Sequence, residues 1–264
     1  MDNRNEAHPP WAALRRYRWI TVLSKLPLVW LWPRFPGLAL AVFVAPEVWL
    51  VVQTLVPNAS GLGPIITRFA TQAREIRLTI DDGPDPLTTP ELLDRLDSHG
   101  ARAVFFLIGR KARSHPDLVR AIAARGHEIG NHTDSHPLCF FWSAGPRRTA
   151  AEIDACSSAI GGATGKIPRY FRPPAGIKNL FLFGALARRR MSLLGWSGRA
   201  RELGCASPER PLRRLARAVR PGAILLVHES GRNPRVRLAI IGGLLEHLDR
   251  EGFRCVLPDP PDCP

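Results

Sequence analysis

Two adjacent carboxylates, Asp81 and Asp82, end an apolar stretch and are followed at once by Gly83 and Pro84 (LTIDDGPDP, 78–86). Downstream, HTDSH sets His132 and His136 four residues apart. Two imidazoles and one carboxylate form the ligand set of a catalytic divalent-metal site, which keeps a coordination position open for water. On a helical turn, positions i and i+4 share a face, so both imidazoles could reach one ion. Either Asp81 or Asp82 could supply the third ligand. Neighbouring side chains on a strand point to opposite faces, so a plain strand could not aim both acids at one target. Each motif also has a structural reading, because Asp-Gly-Pro is good turn chemistry and His-x3-His is common on surfaces.

The surrounding elements decide between these readings. EIRLTID (75–81) has the pattern of a strand, and TTPELLDRLDSHG (88–100) that of a helix. In that helix Thr88 or Thr89 can cap, Pro90 suits the first turn and Gly100 stops it. AVFFLIG (103–109) reads as a buried strand, and SHPDLVRAIAARG (114–126) as a second helix leading into HEIGNH. Further strands are expected at 170–172, 192–196, 223–228 and 254–257, with helices near 147–160, 208–219 and 235–250. Repeated strand–helix units imply a mostly parallel sheet or barrel covered by helices, with the chemistry collected at the C-terminal strand ends. Asp81 and Asp82 end the first strand, His132 ends HEIGNH, Arg172 ends YFR and His228 ends AILLVH. Four separate strand ends carrying acid, imidazole and guanidinium groups point to one site.

In this order, TIDDGP, HTDSH, FRPPAG and ILLVH resemble the motif pattern of the polysaccharide deacetylases, carbohydrate esterase family 4 or the NodB-homology domain. The likeness covers about residues 75–257. It implies a distorted (β/α) barrel, a divalent metal, usually zinc with cobalt or another divalent ion as substitutes, and hydrolysis of N-acetyl groups on amino-sugar polymers. Carried over by position, the pattern implies that Asp81 is the catalytic base and that Asp82, His132 and His136 are the metal ligands. It gives Arg172 the task of orienting Asp81 and keeping it a carboxylate. Ala175 stands where many members have tyrosine; its backbone N–H would stabilise the tetrahedral oxyanion, while an aromatic wall is lost. His228 is implied as the general acid for the leaving amine, with Leu226 lining the acetyl pocket.

One segment departs from the pattern. Many members carry DxxDW, whose aspartate tunes the histidine; here WSGRARELG (196–204) has Arg199 and Glu202 near the expected positions and Leu203 in place of tryptophan. Glu202 is the candidate to replace the tuning acid, with a longer reach. HPLCFFWSAGP (136–146) is an aromatic-rich loop starting at a metal ligand. Its rings suit sugar stacking, membrane contact or core packing.

The first seventy residues differ in character. After the basic RRYR (15–18) come two apolar runs, 19–33 and 37–56, joined at PRFP, with tryptophans at 19, 30, 32 and 49. The second run is long enough to cross a bilayer, although Pro46 and Glu47 interrupt it and Lys25 interrupts the first. One spanning helix would leave the remainder outside the cytoplasm, a hairpin would return it, and an apolar pair packed on the domain is the non-membrane reading. The expected organisation is therefore a membrane-anchoring segment over 1–70 and a catalytic domain over 71–264. It would sit at a bacterial inner membrane, on the periplasmic or the cytoplasmic face. The net charge of +14 suits anionic surfaces. The arginines are spread along the chain and no nucleic-acid-binding signature occurs, so nucleic acid is not an expected partner. Five scattered cysteines (139, 156, 205, 255 and 263) without a CxxC argue against a disulfide framework or a cysteine-based metal site. The leading expectation is a membrane-attached, metal-dependent deacetylase of an N-acetylated polysaccharide or lipid-linked glycan. The alternative is a non-catalytic relative that binds glycan through the same metal site. The oligomeric state is left open.

Overall fold

The computed structural model describes residues 12–138, 140–202, 204–229 and 233–258. Cys139, Leu203 and Cys263 lie outside the described residues.

The N-terminal apolar runs are helical: α1 (Ala12–Lys25), α2 (Leu28–Leu31) and α3 (Pro36–Leu55). α1 folds back along α3 through the turn at 32–35. α3 has 20 residues with a mean hydropathy of 1.9 in its apolar window, and only 17% of that window is buried. It is long and apolar enough to cross a membrane. The two charges that interrupt the apolar runs answer each other. Lys25 Nζ lies 3.2 Å from Glu47 Oε1 and 4.8 Å from the Phe43 ring centroid, so the helical pair presents neither charge alone. Pro46 stands inside α3, and the helix continues through it.

The remainder alternates strand and helix. In chain order come β1 (Glu75–Gly83), α4 (Thr89–Ser98), β2 (Ala103–Leu107), α5 (Gly109–Ser114), α6 (Pro116–Ala124) and β3 (Glu128–Asn131). Then follow α7 (Pro146–Thr164), β4 (Tyr170–Phe171), α8 (Leu182–Arg188), β5 (Ser192–Leu193) and β6 (Gly198–Arg199). The chain continues with α9 (Glu209–Ala218), β7 (Ala223–His228), α10 (Pro234–Arg250) and β8 (Arg254–Cys255). The sheet order is β5-β4-β3-β2-β1-β7-β6, with β8 paired to the start of β1, and every pairing between these strands is parallel. The expected distorted barrel is thus a curled, open parallel sheet.

Period-two alternation assigns the two faces. Ile76, Leu78 and Ile80 of β1 and Ala223, Leu225 and Val227 of β7 join Leu92, Leu96, Ile241 and Leu244 in the main core under the helices. Each such valine, leucine or isoleucine contributes roughly 1.5–3 kcal/mol by its burial. The intervening residues, Thr79 and Asp81 on β1 and Leu226 and His228 on β7, take the opposite, concave face. Parallel register then sets Asp81 beside His228 and Thr79 beside Leu226. Two details differ from expectation. Thr88 occupies the N-cap position of α4 without a side-chain capping bond, and the Thr89 hydroxyl instead donates to Glu229 Oε2 at 2.7 Å. α5, α8 and β6 are additional short elements that carry too few residues to show a period.

Candidate active site

β1 delivers both acids through a local distortion. Asp82 has φ 73°, and the pairing of β1 with β2 shifts register between Asp81 and Gly83. The left-handed residue breaks the strand's alternation, so Asp82 does not turn to the helix face as residue i+1 of a plain strand must. The redirection therefore begins at Asp82 itself, one residue before the Gly83-Pro84 pair. Gly83 is required there for space: a Cβ would stand 1.7 Å from Glu229 Oε1.

The histidines come from the loop after β3, and this loop is not a helical turn. Thr133 (φ 65°) and His136 (φ 55°) are both left-handed, which rules out the expected α-helical spacing. The loop nevertheless brings the rings together, with centroids 4.9 Å apart. Asn131 Oδ1 accepts from the Thr133 N–H, and Glu152 of α7 accepts from the backbone N–H groups of Asp134 and Ser135, so the bend is held from below.

Asp82, His132 and His136 converge. Asp82 Oδ1 lies 3.5 Å from His132 Nε2 and 3.2 Å from His136 Nε2. Their three ligand atoms all fall within 4.8 Å of one another. His132 Nδ1 donates to the Arg172 carbonyl oxygen at 2.7 Å, which fixes the tautomer and leaves the Nε2 lone pair facing Asp82. Burial would raise the Asp82 carboxyl, but the neighbouring imidazoles of His132 and His136 outweigh it and hold it well below the usual carboxylate range. Two imidazole nitrogens and a permanently ionised carboxylate suit a borderline divalent ion such as zinc or cobalt.

Asp81 is buried beside this cluster, with its Oδ2 3.8 Å from His132 Nε2. Its other oxygen accepts from Arg172 Nη1 at 2.7 Å. Arg172 itself is 1% exposed and fully engaged. Nη1 also donates to Thr79 Oγ1, Nε to the Leu194 carbonyl and Nη2 to the Gly195 carbonyl, at 2.8, 2.9 and 2.8 Å. Phe106 and Trp196 flank the guanidinium at 4.2 and 5.6 Å. A guanidinium held at every arm can fix the carboxylate in one orientation.

On the other side, β7 ends at His228. Its Nδ1 stands 2.9 Å from Glu202 Oε1, and its backbone N–H donates to that same oxygen at 2.7 Å. Glu202 is 4% exposed, and Arg237 Nη1 approaches it to 4.0 Å. Burial works against a charged His228, but the bond to Glu202 and the charges of Asp81, Glu202 and Asp82 raise its pKa above the ordinary imidazole value. Burial likewise opposes a charged Glu202, and the His228 bonds carry it below the usual range. Leu226 is buried on the same face, two residues before His228. Ala175 is exposed in the 3₁₀ turn Pro174–Gly176, with φ 54° presenting its backbone in a left-handed bend.

The structure therefore gathers Asp81, Asp82, His132, His136, Arg172, Glu202 and His228 at the strand ends, with Leu226 on the same face and Ala175 three residues beyond Arg172. It adds supports that sequence reasoning passed over: Thr79, Phe106, Trp196, Lys111, Arg237 and Glu229. Thr79 was accessible from alternation, being two residues before Asp81 on the same face. Lys111 Nζ donates to the Asp82 carbonyl at 2.7 Å from a helix too short to be read. Arg199, near the tuning-acid position, instead lies over Trp196 at 5.8 Å.

Comparison with known proteins agrees with this geometry. The polysaccharide deacetylase family profile matches residues 69–188. The chain is 36% identical over 157 residues to a chitooligosaccharide deacetylase from Bradyrhizobium sp. (strain ANU 289), covering 59% of this chain and 71% of that protein. It is 32% identical over 184 residues to a peptidoglycan-N-acetylglucosamine deacetylase from Bacillus cereus, covering 69% and 84%. Among solved structures, a peptidoglycan N-acetylglucosamine deacetylase in complex with 4-naphthalen-1-yl-N-oxidanyl-benzamide superposes with a TM-score of 0.69 at 27% identity, over 73% of this chain and 89% of that one. A family 4 carbohydrate esterase from Streptomyces lividans, in complex with acetate, gives 0.64 at 30% identity, over 71% and 94%. With fold, motif order and relatives in agreement, the chain belongs to the polysaccharide deacetylase family.

Proposed function

We propose that this protein is a membrane-attached, metal-dependent hydrolase that removes N-acetyl groups from an amino-sugar glycan. The observation that carries the reading is the arrangement around Asp82, His132 and His136: the Asp81–Arg172 pair stands on one side and the Glu202–His228 pair on the other. A divalent ion held by Asp82, His132 and His136 would supply Lewis acidity, polarising the acetyl carbonyl and acidifying water. Asp81, fixed by Arg172, accepts the proton of the attacking water. The Ala175 backbone N–H stabilises the developing oxyanion. His228 donates a proton to the departing amine, and Glu202 at Nδ1 keeps its ring charged and oriented. Leu226 lines the pocket for the acetyl methyl.

Residues 1–70 act as the membrane anchor and residues 71–264 as the catalytic domain. α3 supports the anchor by its length and its exposed apolar surface, and the Lys25–Glu47 pair removes the main objection to it. The reading places the protein at a bacterial inner membrane.

The test is acetate release from N-acetylglucosamine oligomers by the purified full chain. Release that a chelator abolishes, and that zinc or cobalt restores, is the expected result. Stoichiometric metal without acetate from a panel of N-acetylated glycans would instead favour a glycan-binding relative that keeps the site without the reaction.

A further inference from the structure

The end of α3 and the rim of the active site are built into one another. The last carbonyls of α3 are taken up by the loop that follows Arg172: the Lys178 backbone N–H donates to Thr54 O at 3.0 Å, and its ammonium to Val56 O at 2.8 Å. Immediately afterwards Pro57 packs on Gly176, where an added Cβ would meet Pro57 at 2.7 Å, and Asn58 Nδ2 donates to the Trp196 carbonyl at 2.8 Å. Ala175 is three residues from Lys178, at most about 11 Å of chain. No flexible linker separates the apolar helix from the site.

The same loop reaches the metal-ligand side. Asn179 Nδ2 donates to Phe141 O at 3.0 Å, which ties in the turn that begins at His136. Phe141 is buried, whereas Leu138 and Phe140 are 48% and 64% exposed. Val52 and Leu55, at the end of α3, are likewise 43% and 46% exposed. Lys178 and Asn179 thus tie the end of α3 and the turn that carries Leu138 and Phe140 to one loop, at the mouth of the charged site. Contiguous exposed apolar surface marks contact with a membrane or an apolar ligand. A helix lodged in a bilayer and joined rigidly to the rim holds that mouth at the lipid surface. A polymer in bulk solution would have to approach it there, whereas a sugar carried by a lipid is already present at high effective concentration.

We propose that the substrate is an N-acetylated amino sugar tethered to a bilayer lipid. Its apolar chain stays beside the end of α3 and the exposed side chains of Leu138 and Phe140 while its sugar enters toward His136. This rests on the deacetylase reading and names its substrate. The reaction consumes one water: the acetyl C–N bond breaks, acetate leaves, the sugar nitrogen gains a proton, and the amino sugar remains on its lipid.

The test uses the full chain, zinc-loaded and reconstituted in phosphatidylethanolamine–phosphatidylglycerol vesicles, with acetate release as the readout. One probe is N-acetylglucosamine linked to a dioleoyl lipid in the same vesicles, and the other is soluble tetra-N-acetylchitotetraose at equal bulk concentration. The lipid-linked probe should be deacetylated faster by on the order of 100-fold. In the double variant Leu138→Ser, Phe140→Ser that preference should fall at least roughly threefold, with zinc content unchanged as the check on folding. Equal or faster turnover of the soluble tetramer would overturn the lipid-substrate proposal and leave the deacetylase reading standing. Acetate from neither probe, with zinc bound, would overturn the deacetylase reading and the proposal with it.

Discussion

Glu202 and His228 are joined twice through a single oxygen: Glu202 Oε1 takes both the ring Nδ1, at 2.9 Å, and the backbone N–H, at 2.7 Å, of His228. The glutamate therefore fixes where the histidine is as well as its charge. The extra methylene of glutamate is accommodated because the carboxylate reaches β7 from the loop after β6 and closes on the strand's last N–H.

A pH profile tests that charge. His228 has a raised pKa, and as the proposed proton donor it would act in its protonated form, so its contribution should be present at low pH and lost as pH rises through that value. In Glu202→Gln the amide can still accept the backbone N–H, but the counter-charge is gone. The alkaline limb of kcat should move to lower pH by about one unit, with KM nearly unchanged. An alkaline limb that stays in place would separate Glu202 from proton donation.

Arg172 should matter to stability as well as to rate. Its removal leaves Asp81 buried and unpaired and deprives the Leu194 and Gly195 carbonyls of their donor. Arg172→Ala is expected to cost about 3–5 kcal/mol, seen as a fall of roughly 10 °C in the apparent melting temperature. A variant that melts like wild type would contradict the buried pair.

Gly83 and Glu229 should act on the metal without touching it. An alanine Cβ at position 83 would collide with Glu229 Oε1, displacing the backbone that aims Asp82. The Glu229 carboxyl, pushed up to about 8 by burial, cannot relieve the clash by moving into water. Gly83→Ala should weaken zinc binding by about tenfold or more, and adding Glu229→Ala should recover part of it. Isothermal titration with zinc reads both variants, and wild-type affinity in Gly83→Ala would remove Glu229 from the support of the site.

Much of this was legible from residue order, for a physical reason. In a parallel α/β sheet the strand ends converge, so Asp81, His132, Arg172 and His228 could be gathered without coordinates. β1, β2 and β7 and the longer helices showed clear periodicity. What stayed hidden depends on conformation at single residues. The left-handed φ values of Asp82, Thr133 and His136 carry no glycine to announce them, so the bend that unites the acids is read at Gly83-Pro84 rather than at Asp82, and the histidines look helical. Arg237 and Trp196 reach the site through register and packing across separate elements, which local pattern does not encode. The docking of α3 on Lys178 joins positions 122 residues apart and was equally invisible.

The central claim is that the two neighbouring acids divide one task, Asp82 holding the metal and Asp81 taking the proton. Metal content and acetate release measured together on wild type, Asp81→Asn and Asp82→Ala test it most directly. Asp81→Asn should keep stoichiometric metal and lose acetate release by about 10²–10⁴-fold, while Asp82→Ala should lose the metal. Full metal in Asp82→Ala, or wild-type acetate release in Asp81→Asn, would contradict the assignment.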